Sequence, residues 1–218
     1  LFAMMSAMFM WIIPMFSDVY VQLGANLPAA TRKLVTLSEW ISVNFNTVVF
    51  SLFGLIGGLW LISKTQRGGY VLDSIKLKVP VFGSLLNQSI LNKFSKTAGI
   101  LLNAGVPIIE SMNLIGKIVS NRVYQVAIGD ATEYIRDGFN ITSALRRTEI
   151  FPPILLQLTA TGEETGELDS LLDRTADYYY KQVNALVERM TTLIEPILIL
   201  MVGVIIAVMV VITYLPVF

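Results

Sequence analysis

Two long runs without a charged residue constrain this chain more than anything else in it. One lies between Glu39 and Lys64, the other between Glu195 and Phe218. Crossing a bilayer as a helix takes roughly 20 apolar residues. In lipid a single segment has to be helical, because its backbone N–H and C=O groups find no water to satisfy them. A third uncharged run, Leu1 to Ser17, is slightly short of that length. It carries neither an initiator Met nor a basic flank, so it reads as a span whose beginning is cut off rather than as a signal peptide. On this reading the chain is a fragment of a longer protein.

The expected fold class is all-α: an integral membrane protein with a cytoplasmic six-helix bundle between transmembrane helices. The expected organisation is a partial first span over 1–16, an extracytoplasmic (periplasmic) linker over 17–40, a second span over 41–63, a helical bundle over 68–190, and a third span over 191–218. Lys64, Arg67, Lys76 and Lys78 follow the second span against a single Asp73, which by the positive-inside rule makes that side cytoplasmic. In the linker, Arg32 and Lys33 are balanced by Asp18 and Glu39. Gly24 and Pro28 break it, and Pro28 can start a helix carrying Leu34, Leu37 and Ile41. Gly54/Gly58 and Gly203/Ala207 are small-xxx-small pairs that let helix backbones approach closely. They point to helix packing in the membrane and to a homo-oligomer.

From Gly68 to Met190 the composition becomes that of a soluble domain, long enough for its own core. Strict alternation is absent, and breakers separate helix-length blocks. Helices are expected near Gly83–Asn103, Pro107–Val119, Asn121–Asp137, Ile141–Arg147, Pro153–Thr161 and from Gly166 onward. Asn140 is a good N-cap for the fourth. Pro153 suits a first helical turn, where its missing N–H would be unpaired anyway. Gly162 and Gly166 bracket an acidic stretch that reads as a break. Thr161 with Glu164 fits a capping box, and Thr165 is an alternative cap for the next helix. From Leu168 the apolar positions Leu172, Ala176, Tyr179, Val183, Leu186, Met190 and Ile194 recur at helical spacing and run into the last uncharged stretch. Pro196 at its mouth weakens a helix without having to break it.

The chain has no His and no Cys, which removes imidazole and thiolate catalysis, disulfides and the usual zinc sites. Formal charge is balanced, so no basic excess marks a nucleic-acid binder. No GxxxxGK[ST] phosphate loop is present. No catalytic residues and no cofactor are expected. The spans hold no central ionisable residue, which argues against the alternative class, a membrane permease or channel subunit.

The densest charged feature is the acidic group Glu163, Glu164, Glu167, Asp169, Asp173 and Asp177. The three aspartates fall at i, i+4, i+8 on one helix face, where like charges cost roughly 0.2–0.5 kcal/mol per pair. Three readings stand: a solvated face, docking to a basic partner surface, and a divalent cation, calcium at Glu163 and Glu167 by its oxygen ligands. Glu163 is equally well placed to cap a helix inside the domain. Glu195 either bonds groups at the membrane mouth or reaches headgroup water. Of Tyr178, Tyr179 and Tyr180, one can point fully into a bundle.

Several ordered motifs resemble one family. Leu101-Leu102-Asn103-Ala104-Gly105-Val106-Pro107 resembles its LLxAGVP turn. Gly138 through Leu145 resembles its Gly-x-x-Ile/Leu-Ser/Thr stretch. Phe151-Pro152 and Gly162-Glu163-Glu164-Thr165-Gly166-Glu167-Leu168 resemble its FP and GExTGxL signatures. Glu195-Pro196, the closing Tyr214-Leu215-Pro216-Val217-Phe218 and the linker Gly24-Ala25-Asn26-Leu27-Pro28 fit as well. The chain is similar to the C-terminal half of the PilC/GspF family, inner-membrane platform proteins of type IV pilus and type II secretion machines. Ile13-Pro14-Met15-Phe16, echoed by Leu215-Pro216-Val217-Phe218, fits that family's two related helical domains. The resemblance implies a bacterial inner-membrane scaffold that couples a hexameric cytoplasmic assembly ATPase to pilin or pseudopilin transmembrane helices. It also implies other inner-membrane assembly proteins as partners.

Overall fold

The computed structural model describes Thr36, Trp40 and residues 43–214. The first uncharged run, the linker motif, the Ile13–Phe16 echo and the closing residues 215–218 lie outside the described residues. Among the described residues the secondary structure is entirely helical, with eight helices. They are α1 (Phe45–Lys64), α2 (Gln66–Lys78), α3 (Phe82–Asn103), α4 (Ile108–Ile118), α5 (Arg122–Arg136), α6 (Ile141–Arg147), α7 (Pro153–Thr165) and α8 (Leu168–Tyr214).

The chain divides into two units. One comprises residues 1–60 and 193–218, the other residues 61–192. In the first, the described part of α1 and the end of α8 carry exposed apolar side chains, among them Phe50, Phe53, Ile199 and Leu200. Among the described residues α8 is the one helix long and apolar enough to cross a membrane. It runs through Pro196 without a break, as its sequence leads one to expect. A Cβ built at Gly54, Gly58 or Gly203 meets no described atom within 4 Å.

The second unit corrects the helix count. Sequence spacing gives six helices; α2 adds a further one ahead of them. Gly68-Gly69 hides it, since each glycine costs about 1 kcal/mol in a helix interior. The reason for Gly69 is tertiary. The Arg122 guanidinium lies against it, and a Cβ there would sit 1.8 Å from Nη1.

Local capping explains most of the other boundaries. Gly105 and Gly138 take positive φ of 77° and 94° after α3 and α5, the left-handed conformation that ends helices. Asn121 Oδ1 accepts the Val123 N–H at 3.0 Å to start α5, and Asn140 Oδ1 accepts the Ser143 N–H at 2.9 Å to start α6. Pro153 opens α7 as its first residue. The α7 terminus differs from expectation, because the helix continues through Gly162 to Thr165 and stops at Gly166, φ 77°. Neither threonine caps. Thr161 Oγ1 donates back to Gln157 O at 3.1 Å, and Thr165 Oγ1 to Thr161 O at 2.8 Å.

The core is aromatic and aliphatic. Phe94 of α3 and Phe151 have ring centroids 5.0 Å apart, and Tyr124 of α5 meets Phe151 edge-on at 5.9 Å. Met112, Ile115, Ile128, Leu145, Leu155 and Leu172 close around them. Burial of this kind is the main favourable term in folding. Of the tyrosine triplet, Tyr179 is buried while Tyr178 and Tyr180 stay exposed.

Candidate functional site

The segment from Gly162 to Asp177 draws its geometry from four helices. Glu163, in the last turn of α7, reaches the N-terminus of α6. Its carboxylate accepts the N–H of Ile141, and the N–H of Thr142 at 2.9 Å. It also takes the Thr142 hydroxyl. A carboxylate facing unpaired helical N–H groups is favoured by both hydrogen bonding and the helix dipole. Glu163 is therefore the helix-capping residue that its position allowed.

Gly162 and Gly166 serve different needs. A Cβ at Gly162 would lie 2.8 Å from Leu168 Cα, so this glycine lets the start of α8 fold back against α7. Gly166 supplies the left-handed turn between them. Leu168 is half-buried against the core.

The aspartates then run down α8 beside α3. Asn103 Nδ2 donates to Asp169 Oδ2 at 2.9 Å, Lys96 Nζ to Asp173 Oδ1 at 2.6 Å, and Asn92 Nδ2 to Ala176 O at 2.7 Å. Gly99 sits between these contacts, its Cβ position 3.1 Å from Asp169 O and 3.2 Å from Asp173 N. The helices run antiparallel with their backbones nearly touching. The Asn103 hydrogen bond holds the Asp169 carboxyl below its ordinary value, and the Asp173 bond raises the Lys96 ammonium. A groove of about 580 Å³ opens along this seam, lined by Lys96, Gly99, Ile100, Asn103, Asp169 and Asp173.

The six acids thus separate into two sets. Glu163, Asp169 and Asp173 are engaged by hydrogen bonds within the domain, whereas Glu164, Glu167 and Asp177 are exposed. No cluster of three or more metal-ligating side chains forms among the described residues. Of the other motif residues, Gly105, Pro107 and Gly138 shape turns, Phe151 fills the core and Pro152 precedes α7. Glu195 is exposed beside Pro196 on α8, and Ala207 is exposed further along it.

A second polar cluster was not legible from the sequence. Asp73 of α2 accepts the Arg122 N–H at 3.0 Å and pairs with Lys76 at 2.8 Å. Asn121 Nδ2 reaches Asp73 O at 3.4 Å. The Arg122 guanidinium donates to the carbonyls of Thr65 and Lys64, the latter at 3.4 Å. The end of α1 is thereby tied to the start of α5.

The turn, the capped α6 and all of the seam but Asn92 fall within a matched family model. Residues 94–216 match the model for type II secretion system (T2SS), protein F. The chain belongs to that family. It is 32% identical over 209 residues to the type IV pilus assembly protein PilC of Pseudomonas aeruginosa, covering 95% of this chain and 56% of that protein. To the PilC of Thermus thermophilus it is 33% identical over 209 residues, covering 95% and 51%. To the type II secretion system protein F of Aeromonas hydrophila it is 33% identical over 192 residues, covering 86% and 48%. The chain spans about half the length of the curated relatives it matches. The protein F family is thus shared with proteins named for pilus assembly and for secretion, as the sequence motifs led us to expect.

Proposed function

We propose that this chain works as a non-catalytic platform scaffold in the inner membrane of a bacterium. There it joins a cytoplasmic assembly ATPase to pilin or pseudopilin helices in a type IV pilus or type II secretion machine. The observation that carries the reading is α8: a family-type helical domain and a membrane-capable apolar stretch lie on one helix without a break. Motion of the domain is carried toward the membrane along that helix, which Pro196 weakens but does not interrupt. Residues 68–190 form the cytoplasmic domain on this reading, with spans at 41–63 and 191–218 and the basic residues after α1 on the cytoplasmic side. Gly54, Gly58, Gly203 and Ala207 receive neighbouring helices, from pilin or from a second copy.

The docking face for the motor consists of Glu164, Glu167 and Asp177, the acids that the domain's own hydrogen bonds leave exposed. Its partner surface is basic. The test is a charge reversal at all three, Glu164→Lys, Glu167→Lys and Asp177→Lys, in the full-length protein. The expected result is loss of ATPase co-purification and of filament or secretion assembly, with protease resistance of the domain retained. Unchanged assembly and co-purification would refute the docking face.

A further inference from the structure

The outward face of α2 is apolar in its middle and basic at its ends. Arg67, Val71, Ile75 and Lys78 follow one another at helical spacing along a single exposed stripe, with Val71 and Ile75 each 55% exposed. The opposite face, through Gly69, Leu72, Asp73 and Leu77, packs inward. Lys76 is already paired to Asp73, so Arg67 and Lys78 are the charges this stripe presents.

Apolar side chains are exposed beyond the helix as well. Phe82 N–H bonds Pro80 O at 2.8 Å across Val81, whose φ is 69° and ψ −59°. This is a three-residue turn that a β-branched residue adopts only under strain. It leaves Val81 and Phe82 50% and 62% exposed, next to a groove lined by Val79, Leu85 and Leu86. Only Thr65 separates α2 from α1, the helix of the uncharged run.

We propose that this stripe lies on the anionic surface of the bilayer that α1 enters. Two observations select lipid over protein: the basic ends complement acidic headgroups, and one residue connects the stripe to the membrane helix. Valine and isoleucine enter the headgroup–acyl boundary while Arg67 and Lys78 reach up to phosphate, their aliphatic stems lying along the apolar surface. The inference rests on the reading of α1 as a span.

The chain has no cysteine, so single labels are clean. Val71→Cys and Ile75→Cys would each carry an environment-sensitive fluorophore, with Phe53→Cys and Leu200→Cys as span controls and Glu133→Cys as a domain control. The chain is reconstituted in nanodiscs of phosphatidylcholine, alone or with phosphatidylglycerol, and quenched by spin-labelled lipid. Expected is quenching at positions 71 and 75 in the anionic discs and none at 133. Docking should weaken about fivefold for each of Arg67→Gln and Lys78→Gln.

Quenching at 53 and 200 without quenching at 71 and 75 overturns the docking surface and leaves the span reading intact. Absence of quenching at all four overturns both. Shielding of 71 and 75 from an aqueous quencher, without contact with lipid quencher, assigns the stripe to a protein and overturns the proposal. Equal quenching in both lipid mixtures overturns the role of anionic headgroups.

Discussion

Glu163 caps α6 from another helix, its carboxylate accepting the Thr142 N–H at 2.9 Å. The contact joins residues 21 positions apart and fixes α7 against α6. Glu163→Ala leaves the Ile141 and Thr142 donors without that acceptor. Losing partners for half-buried donors costs about 1–3 kcal/mol. Glu163→Gln keeps one acceptor oxygen and should cost less. Denaturant unfolding of the two variants, compared at constant m-value, checks the order.

Gly162→Ala places a methyl 2.8 Å from Leu168 Cα, a backbone atom that has to move. The expected destabilisation is about 1–3 kcal/mol, typical of overpacking. Gly99→Ala meets Asp169 O at 3.1 Å and should cost less, because α3 and α8 can part slightly. Melting temperatures of the two variants measured side by side give the ranking.

Gly69→Ala drives the Arg122 guanidinium off the carbonyls at the end of α1. Arg122→Ala removes the same contacts directly. Arg122→Ala should cost about 1 kcal/mol, whereas Gly69→Ala should be close to neutral, because the displaced guanidinium is offset by about 1 kcal/mol of helix propensity, and in the Arg122→Ala background it should stabilise. A double-mutant cycle returning simple additivity would show that the two residues act separately.

Asp73 gives a pH signature. Burial pushes its carboxyl up, but the Lys76 hydrogen bond, the Arg122 N–H and the charges of both residues outweigh it and hold the carboxyl below 3.8. A carboxylate lowered on folding contributes stability in full above the unfolded pKa of about 4 and loses it as pH falls through the lower folded value. Wild type should therefore exceed Asp73→Asn in melting temperature from neutral pH down to about 5, and the gap should close in stronger acid.

Helix boundaries set by neighbouring residues were legible in the sequence: Asn140 before α6, Pro153 opening α7, and the Gly105 and Gly138 turns. Features set by distant residues were not. The acidic group reads as one surface because Asn103 and Lys96, which engage Asp169 and Asp173, lie 66 and 77 positions away. Helix α2 is hidden by Gly68-Gly69, and the reason for Gly69 is Arg122, far along the chain. Gly162 reads as a breaker, yet it stays helical because close approach to Leu168, rather than a turn, requires it. The Glu163 cap was one of four roles that its position allowed, and only the packing of α7 on α6 selects it.

The most direct test of the platform account is cysteine crosslinking in cells making filaments or secreting protein. Single cysteines at Glu164, Glu167, Asp177 and Lys93 in the full-length protein would be probed with a membrane-impermeant reagent from outside, and with a bifunctional crosslinker in opened cells. The account predicts no labelling from outside, and crosslinks to the assembly ATPase from one or more of the three acidic positions. Labelling of all four from outside would invert the topology and contradict the account.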